Sequence, residues 1–396
     1  MRRNAITYMF PCLLALLWIV PAGSAAEEAR SYKIGVNLEL TGPWANATQA
    51  VKLAMQMEAD RINRDGGIHG RPLELVIRDN GFDQAKVSMN MLNFVRDGEI
   101  LAVVGPFEDH FQASTRAIAE REGITNIIVC PSNPRLRALE QKWSFNIAPS
   151  EIVLSRKLAT LCRALGYETV VVFAGNWPLA RGIAETFERF GREKGVRVVV
   201  SEETHNPTDI DMKPQLIKIG ALMKAEGADA LFLSTGGPPG PIICKNLETL
   251  GIDVTVLGTQ AFGFGCIPGL GGKAMEGVAF PTGKTVVPYQ LDEDDPVRPV
   301  ITAFDRRMKE RYGVGADQTS GHGYDIVHLI AGALRRCGEE PTRAAFRDAL
   351  EQTEGFLGCT GVYRYGPDDH EGLDVDDMVF VRIEGGRFER IQPEER

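Results

Sequence analysis

The chain lacks several features that mark nucleic-acid-binding, membrane-spanning and metal-binding proteins. Its 396 residues include 44 lysines and arginines against 53 aspartates and glutamates, and the resulting net charge of −9 is opposite in sign to the field that attracts phosphate backbones. Beyond the first 26 residues, no apolar run reaches the roughly 18 residues that a bilayer-spanning helix needs. No Cys-x-x-Cys or Gly-x-Ser-x-Gly sequence occurs, and the six histidines lack the spacing of metal ligands. We therefore expect that the protein binds no nucleic acid, metal or cofactor and that it is not an enzyme.

The N-terminus carries the only strongly apolar stretch, and it has the organisation of a secretion signal. Two arginines at positions 2–3 precede an apolar run over residues 5–20, and the small residues at 24–26 are suited to cleavage. Pro11 interrupts the run, which argues against a membrane anchor. The sequence predicts a signal peptide over residues 1–26 and a soluble protein exported to the periplasm.

The cysteines leave the redox state open. Six remain after the signal peptide, and an even number in an exported chain is compatible with three disulfides in any of 15 connectivities. Spacings of 22 residues make Cys244/Cys266 and Cys337/Cys359 the first pairs to test. Buried free thiols are the alternative. The six are Cys130, Cys162, Cys244, Cys266, Cys337 and Cys359.

Apolar, β-branched runs alternate with amphipathic segments, which is the pattern of parallel sheets covered by helices. The predicted strands are residues 33–40, 73–78, 101–104 and 125–129, then 169–173, 196–200, 230–233 and 254–257. Later helical patterns cover residues 301–312, 324–337 and 342–352. Two successive sets of four strands predict an α/β protein with two doubly wound lobes.

Ligands of open α/β sheets bind at the carboxyl ends of the strands, so the residues that follow each predicted strand are the candidates for a site. Aromatic and hydrogen-bonding residues recur there in both halves of the chain, which is the composition of a small-molecule cleft. Nine residues are predicted to contact a ligand: Trp44, Asp109, His110, Ser132, Trp177, Ser234, Thr235, Gln260 and Phe262.

Four segments in this order resemble the leucine/isoleucine/valine-binding-protein family of ABC-transporter solute receptors. They are Leu-Thr-Gly-Pro-Trp-Ala at 40–45, Ile-Asn-Arg-Asp-Gly-Gly-Ile-His-Gly-Arg-Pro-Leu-Glu-Leu at 62–75, Val-Val-Gly-Pro at 103–106 and Gly-Tyr-Asp at 323–325. The second is the most specific of them. The series spans nearly the whole chain after the predicted signal peptide.

The resemblance implies a type I periplasmic-binding-protein clamshell, in which two lobes joined by three crossovers close on a ligand without making a covalent bond. The crossovers would fall near residues 147–149, 278–281 and 356–362. Lobe 1 would then comprise residues 27–148 plus 282–355, and lobe 2 residues 149–281 plus 356–396. A monomer that hands an amino-acid-like, amide or aromatic-acid ligand to ABC permease subunits is the implied function. A sensor that serves a signalling partner is the alternative, and an enzyme on the same scaffold is the less favoured third.

The site residues depart from the pattern of family members that bind α-amino acids. In such members a Ser-rich loop holds the ligand carboxylate, whereas this chain has Glu108, Asp109 and His110 there. Gln260 stands where an acid commonly pairs with the ligand ammonium. One hypothesis keeps an amine ligand and moves its acidic partner to Glu108 or Asp109. The other is a neutral or aromatic ligand stacked on Trp44 or on the tryptophan at 177, with His110 and Gln260 as donors.

Overall fold

The computed structural model describes residues 30–132 and 142–392, so the predicted signal peptide lies outside the described residues. Two main sheets, each covered by helices, make up this part of the chain. The strands are β1 (Tyr32–Leu38), β2 (Leu73–Asp79), β3 (Ile100–Val104), β4 (Thr125–Ile128), β5 (Ser144–Asn146), β6 (Thr169–Gly175), β7 (Arg197–His205), β8 (Ala230–Ser234), β9 (Thr255–Leu257), β10 (Ala279–Gly283), β11 (Glu354–Leu357), β12 (Val362–Arg364), β13 (Met378–Glu384) and β14 (Arg387–Ile391). The helices are α1 (Ala45–Arg64), α2 (Gln84–Arg96), α3 (Gln112–Glu122), α4 (Glu151–Ala164), α5 (Pro178–Glu193), α6 (Lys213–Glu226), α7 (Pro239–Leu250), α8 (Ile267–Gly271), α9 (Arg298–Tyr312), α10 (Gln318–Cys337) and α11 (Arg343–Glu351).

The two sheets confirm the predicted α/β class with two parallel-sheet lobes. The first has the strand order β2-β1-β3-β4-β5 and is parallel throughout. The second has the order β14-β13-β10-β9-β8-β6-β7, in which only the β10/β13 and β13/β14 pairs are antiparallel. We call the elements packed on the first sheet the first lobe and those packed on the second sheet the second lobe. In both orders, successive strands of the chain are added first on one side of an inner strand and then on the other. This arrangement is typical of doubly wound sheets, which bind ligands where the direction of addition changes.

Helix α1 shows why the predicted periodicity produces this packing. Six positions recur at helical spacing and are all buried, as an amphipathic face against the first sheet requires: Ala47, Val51, Ala54, Met55, Glu58 and Ile62. The helix ends before Gly67, whose φ of +75° and closeness to the Arg71 carbonyl leave no room for a Cβ. Asn63 then bonds both the N–H and the C=O of Leu73, which begins β2. The segment that is most specific for the family is therefore a turn that joins α1 to β2.

Helices α9–α11 come late in the chain, yet α10 packs on α1 of the first lobe. The contact is close because Gly323 faces the backbone of Val51, where a Cβ would lie 2.4 Å from the carbonyl oxygen. Asp325 then accepts hydrogen bonds from the N–H groups of Cys359 and Thr360, at 2.5 and 2.9 Å. The Gly-Tyr-Asp segment thus joins α10 both to the first lobe and to the loop between β11 and β12.

The structure differs from the predicted elements in several places. The sequence did not individually locate helices α2, α3 and α8 or strands β5, β10 and β11. Strand β10 contains Pro281, which argues against a strand because it lacks an N–H, but its pairing with Phe380 of β13 overrides that local preference. Strand β7 extends to His205, five residues beyond the predicted end.

The six cysteines of the described residues are free thiols, so the structure corresponds to the alternative without disulfides. Four of them are buried in the cores of the two lobes or beside the cleft, and burial raises the pKa of thiols such as Cys162 and Cys244. In the described part of the chain, no helix is both long and apolar enough to cross a membrane.

Candidate ligand-binding site

A cleft lies where the carboxyl ends of the strands of both lobes meet. The cavity between its lining atoms has a volume of about 70 Å³, so the walls stand close together. The first lobe contributes the residues after β1, β3 and β4, and the second lobe those after β6, β8 and β9. Among the described residues the lining consists of Trp44, Phe107, Glu108, Asp109, Val129, Cys130, Pro131, Leu154, Trp177, Leu179, Ala180, Ile183, Thr235, Gly236, Thr259, Gln260, Ala261, Phe264 and His322.

Five of the nine residues predicted to contact a ligand line this cleft. They are Trp44, Asp109, Trp177, Thr235 and Gln260. These five residues were selected because they follow predicted strands, and the fold brings them together although Trp44 and Gln260 are more than 200 positions apart in the chain. Whether they bind a ligand stays a prediction.

The other four predicted residues lie outside the lining. Ser234 is buried and donates a hydrogen bond to the Ala180 carbonyl at 2.6 Å. Phe262 fills the space beside two glycines of the second lobe and contacts the ring of Phe280. His110 is partly exposed and pairs with Glu108, and Ser132 is buried after β4. Direct ligand contact by these four residues stays a prediction.

Aromatic rings form one wall of the cleft. The ring of Trp44 lies 5.5 Å from that of Phe107 and 6.3 Å from that of Phe264, and the last two rings are 5.8 Å apart. The Trp44 ring also packs against Gly236 and Gly237 of the second lobe, where Cβ atoms would lie 3.3 and 2.2 Å from it. A side chain from the first lobe therefore closes against the backbone of the second.

Glu108 and Asp109 form a buried acid pair at the junction of the lobes. The Oδ2 atom of Asp109 accepts the N–H of Leu179 in the first turn of α5, at 3.0 Å, which is a second contact between the lobes. Burial and the neighbouring Glu108 charge hold the pKa of Asp109 well above its usual range. Burial alone would also raise the pKa of Glu108, but hydrogen bonds from His110, Asp109 and Trp44 lower it. The two pKa directions favour a hydrogen bond from the Asp109 carboxyl group to the Glu108 carboxylate.

A third carboxyl group supports this loop from beneath. Glu39 is buried after β1 and accepts the N–H groups of Phe107 and Glu108 at 3.1 and 3.3 Å. Burial outweighs these two hydrogen bonds and raises the pKa of Glu39 to about 7. The charge next to the cleft is consequently smaller than the number of carboxyl groups suggests.

One group of the described residues has the closeness of metal ligands. A carboxylate oxygen of Glu108, one of Asp109 and a ring nitrogen of His110 lie within 4.8 Å of one another. These atoms already bond one another and the Leu179 N–H. The hydrogen-bonding atoms of the acid pair therefore already have partners within the protein, one of them in the other lobe.

Three buried polar atoms of the lining have no hydrogen-bond partner in the described part of the chain. They are the Oγ1 of Thr235, the Oε1 of Gln260 and the Nδ1 of His322. Buried polar atoms are rarely left without a partner, because the loss of hydration costs about 1–3 kcal/mol each. A ligand with polar groups would supply the missing hydrogen-bond partners of these three atoms.

Sequence reasoning missed His322, Phe107 and Phe264. The histidines lack metal-ligand spacing, which gives no reason to select His322, but this residue is buried on α10. The residue directly precedes the Gly-Tyr-Asp segment, and no signal in the sequence indicates that α10 returns to the cleft. Phe107 and Phe264 each lie close to a predicted site residue and could have been included on that ground.

Comparison with known proteins places the chain in a family. Residues 31–387 match the family described as periplasmic binding protein. A leucine-, isoleucine-, valine-, threonine- and alanine-binding protein of Pseudomonas aeruginosa is 24% identical over 352 residues, which is 87% of this chain and 90% of that protein. The Leu/Ile/Val-binding protein homolog 3 of Brucella melitensis biotype 1 is 21% identical, over 89% of this chain and 92% of its own.

Solved structures share the fold. An extracellular ligand-binding receptor from Rhodopseudomonas palustris HaA2 superposes with a TM-score of 0.82 at 18% identity, covering 92% of this chain and all of the other. An ABC transporter substrate-binding protein from Desulfitobacterium hafniense in complex with Leu gives 0.76 at 22% identity, covering 91% of this chain and all of its own. The family match over nearly all the described residues confirms the resemblance stated from the sequence: this chain belongs to the periplasmic binding proteins.

Proposed function

We propose that this protein captures a small organic solute between its lobes outside the cytoplasm and delivers it to the permease subunits of an ABC transporter. The observation that carries the proposal is a cleft lined from both lobes in which three buried polar atoms lack a protein partner. The names of the relatives from Pseudomonas aeruginosa and Brucella melitensis support a solute-binding role. The division into lobes and the signal peptide predicted above are part of the same proposal.

The contacts between the lobes explain how capture would work. The Asp109 hydrogen bond to Leu179 and the Trp44 contact with Gly237 are made only while the lobes are together. A ligand that contacts both walls adds its own interactions to that state and shifts the equilibrium toward it. No bond need be made or broken in the ligand, which agrees with a binding protein and not an enzyme.

The composition of the walls sets the kind of solute. Most lining residues are apolar or aromatic, so the body of the ligand is apolar or aromatic as well. Trp44, Phe107 and Phe264 supply aromatic surface, which contributes through burial and through ring geometry. Small polar groups of the ligand would meet Thr235, Gln260 and His322.

The proposal is tested by identifying what the protein carries. The protein is purified from the host under mild conditions and then denatured, and mass spectrometry of the released small molecules is expected to show a compound at near one per chain. Calorimetry with that compound is expected to show tight 1:1 binding, and X-ray scattering a decrease in the radius of gyration when it is added. A protein that releases nothing and binds no compound from a broad solute library would contradict the proposal.

Delivery to a transporter is separated from signalling by reconstitution. Permease and ATPase subunits encoded next to this protein are expected to hydrolyse ATP faster when the ligand-loaded protein is added. Absence of such stimulation, together with a ligand-dependent response of a membrane receptor, would favour the sensor alternative.

A further inference from the structure

His322 lines the cleft, and its neighbour on the same helix defines the hydrogen-bonding state of its ring. Gln318 stands one turn earlier on α10, and its Nε2 lies 3.0 Å from the Nε2 of His322. The Oε1 of Gln318 lies 3.0 Å from the N–H of Gly283 and 3.1 Å from the hydroxyl of Thr282. A backbone N–H is always a donor, so this end of the Gln318 amide must be its oxygen.

The orientation of the amide fixes the tautomer of the imidazole. Because the other end of Gln318 is an NH2 group, it donates to the Nε2 of His322, which must therefore be unprotonated. A neutral imidazole then carries its single hydrogen on Nδ1. Burial lowers the pKa of His322 to about 3, so the ring is neutral at any pH of growth. The Nδ1–H is a donor without a partner among the described residues.

The charges around the cleft limit which acceptor the Nδ1–H can meet. No lysine or arginine occurs among the lining residues that the structure describes. Glu108 and Asp109 both line the cleft, and their oxygens are already bonded to His110, Trp44 and Leu179. A carboxylate in the cleft would meet these two acids and, among the described lining residues, no cationic side chain to offset its charge.

We propose that His322 donates its Nδ1–H to the carbonyl oxygen of an uncharged ligand group, such as a carboxamide or a lactam, and that the site discriminates against the corresponding carboxylate. Gln260 and Thr235 complement the rest of that group, because an amide and a hydroxyl side chain can each donate or accept. Gln318 is a positioning residue that acts through His322. This inference rests on the proposed function and names the class of its ligand.

Matched pairs of compounds test the ligand class. Calorimetry and thermal shift are measured with phenylacetamide against phenylacetate, benzamide against benzoate, and isovaleramide against isovalerate, with leucine as a zwitterion. At least one amide is expected to bind tenfold or more tightly than its acid. Tighter binding of the acids or of leucine would overturn the inference and leave the proposed solute-binding function standing. Failure of every amide to bind would overturn it as well, whereas the proposed function is judged by the compound that the protein releases.

Two substitutions at His322 separate its nitrogens. The amide of asparagine reaches the position of Nδ1 and that of glutamine the position of Nε2. We expect H322Q to bind the amide roughly tenfold more weakly and H322N to stay within about threefold of the wild type. His370→Gln is the matched control, since His370 is largely buried and stacks on Phe145, and neither of these residues belongs to the lining. Equal losses in H322Q and H322N would contradict a donor role for Nδ1.

A measurement on the unaltered protein covers the case in which a variant does not fold. With 15N-labelled histidine, the His322 ring is expected to show a protonated Nδ1 and an unprotonated Nε2, without titration between pH 5 and 8. The Gln318→Met variant removes the donor to Nε2 and is expected to give a mixture of tautomers. A wild-type spectrum with hydrogen on Nε2, or one that titrates in this range, would overturn the inference independently of any ligand.

Discussion

Alanine at Gly237 is the sharpest test of the idea that the lobes close on a ligand. Gly237 belongs to the loop after β8, has a φ of +53° and lies against the indole of Trp44 from the first lobe. A Cβ at this position would stand 2.2 Å from one ring carbon of the tryptophan and 2.5 Å from another. Phe107 and Phe264 flank the indole, so the ring cannot give way freely. We expect Gly237→Ala to disfavour the closed arrangement specifically.

The size of the effect follows from two separate costs. Placing one extra carbon in a packed site costs about 1–3 kcal/mol, and this cost arises only while Trp44 is in contact with the loop. The left-handed backbone costs about 1–2 kcal/mol for alanine whether the lobes are together or apart. Only the first cost reduces ligand affinity, so the dissociation constant is expected to rise by roughly 5- to 150-fold. The second appears as lower stability of the protein without ligand.

A matched glycine distinguishes the two costs experimentally. Gly251 follows α7 in the same lobe with a φ of +65°, and a Cβ there would have nothing within 4 Å. Gly251→Ala is therefore expected to lower the melting temperature and leave the affinity unchanged. Calorimetry with the ligand identified by mass spectrometry, together with thermal unfolding, measures both quantities for each variant.

The same contact can be examined from the side of the tryptophan. In a Trp44→Ala background the ring is absent, so Gly237→Ala should no longer weaken binding beyond the effect of Trp44→Ala alone. If Gly237→Ala and Gly251→Ala change affinity equally, or if the two effects at Gly237 and Trp44 simply add, closure through this contact is refuted.

Four further predictions follow from particular side chains. Trp44→Ala alone is expected to weaken ligand binding by ~1–3 kcal/mol through lost aromatic burial, as measured by calorimetry. Glu58 is buried, but its bonds to His328 and Arg307 outweigh the effect of burial and lower its pKa to about 2. Glu58→Gln should therefore reduce the free energy of unfolding by roughly 3 kcal/mol at pH 7, and this loss should shrink as the pH falls from about 4.5 toward 2. For Glu39 the pH dependence has the opposite sign, because its pKa of about 7 lies above the value in the unfolded chain. As the pH rises from about 4.5 through 7, the Glu39→Gln variant should become more stable relative to the wild type, by up to roughly 3 kcal/mol. Thiol titration without reductant should find the half-buried Cys266 and Cys337 reacting before the four buried cysteines, and all six reacting after denaturation.

Each of these has a clear contrary outcome. An unchanged dissociation constant would remove Trp44 from the site. Urea unfolding curves whose wild-type and variant difference does not depend on pH would contradict the assigned ionisation of Glu58 or Glu39. If the denatured mature protein has fewer than six reactive thiols, and its mass is lower by two hydrogens for each pair of thiols that does not react, then disulfides form in the exported protein.

The order of the elements was largely predictable because it depends on local periodicity. Runs of β-branched residues with a helical pattern between them located eight strands of the two parallel sheets, and the spacing of residues 47–62 located α1. Two glycines and an asparagine within residues 62–75 form the turn into β2, which is why that segment is so specific for the family. The same facts explain why family membership leaves the ligand undetermined: this segment builds the fold, and none of its residues lines the cleft.

The strand-end rule located part of the cleft lining. Trp44, Asp109, Trp177, Thr235 and Gln260 line the cleft because the carboxyl ends of both parallel sheets face it. The rule could not distinguish side chains that point into the cleft from those that point into the core, so it also selected Ser234 and Phe262, which pack within the second lobe.

By itself, then, the sequence determined the α/β class, the repetition of the βα pattern and the strand ends that line the cleft, since each of these is encoded by neighbours along the chain. The tertiary structure alone decided that α10 returns to bring His322 into the wall, that Gln318 sets its tautomer through the Gly283 N–H, and that Asp109 accepts the Leu179 N–H across the junction of the lobes. These properties depend on burial and on contacts between residues far apart in the chain. No local pattern of residues records them, because the energy of a buried polar atom is set by whatever the fold places beside it.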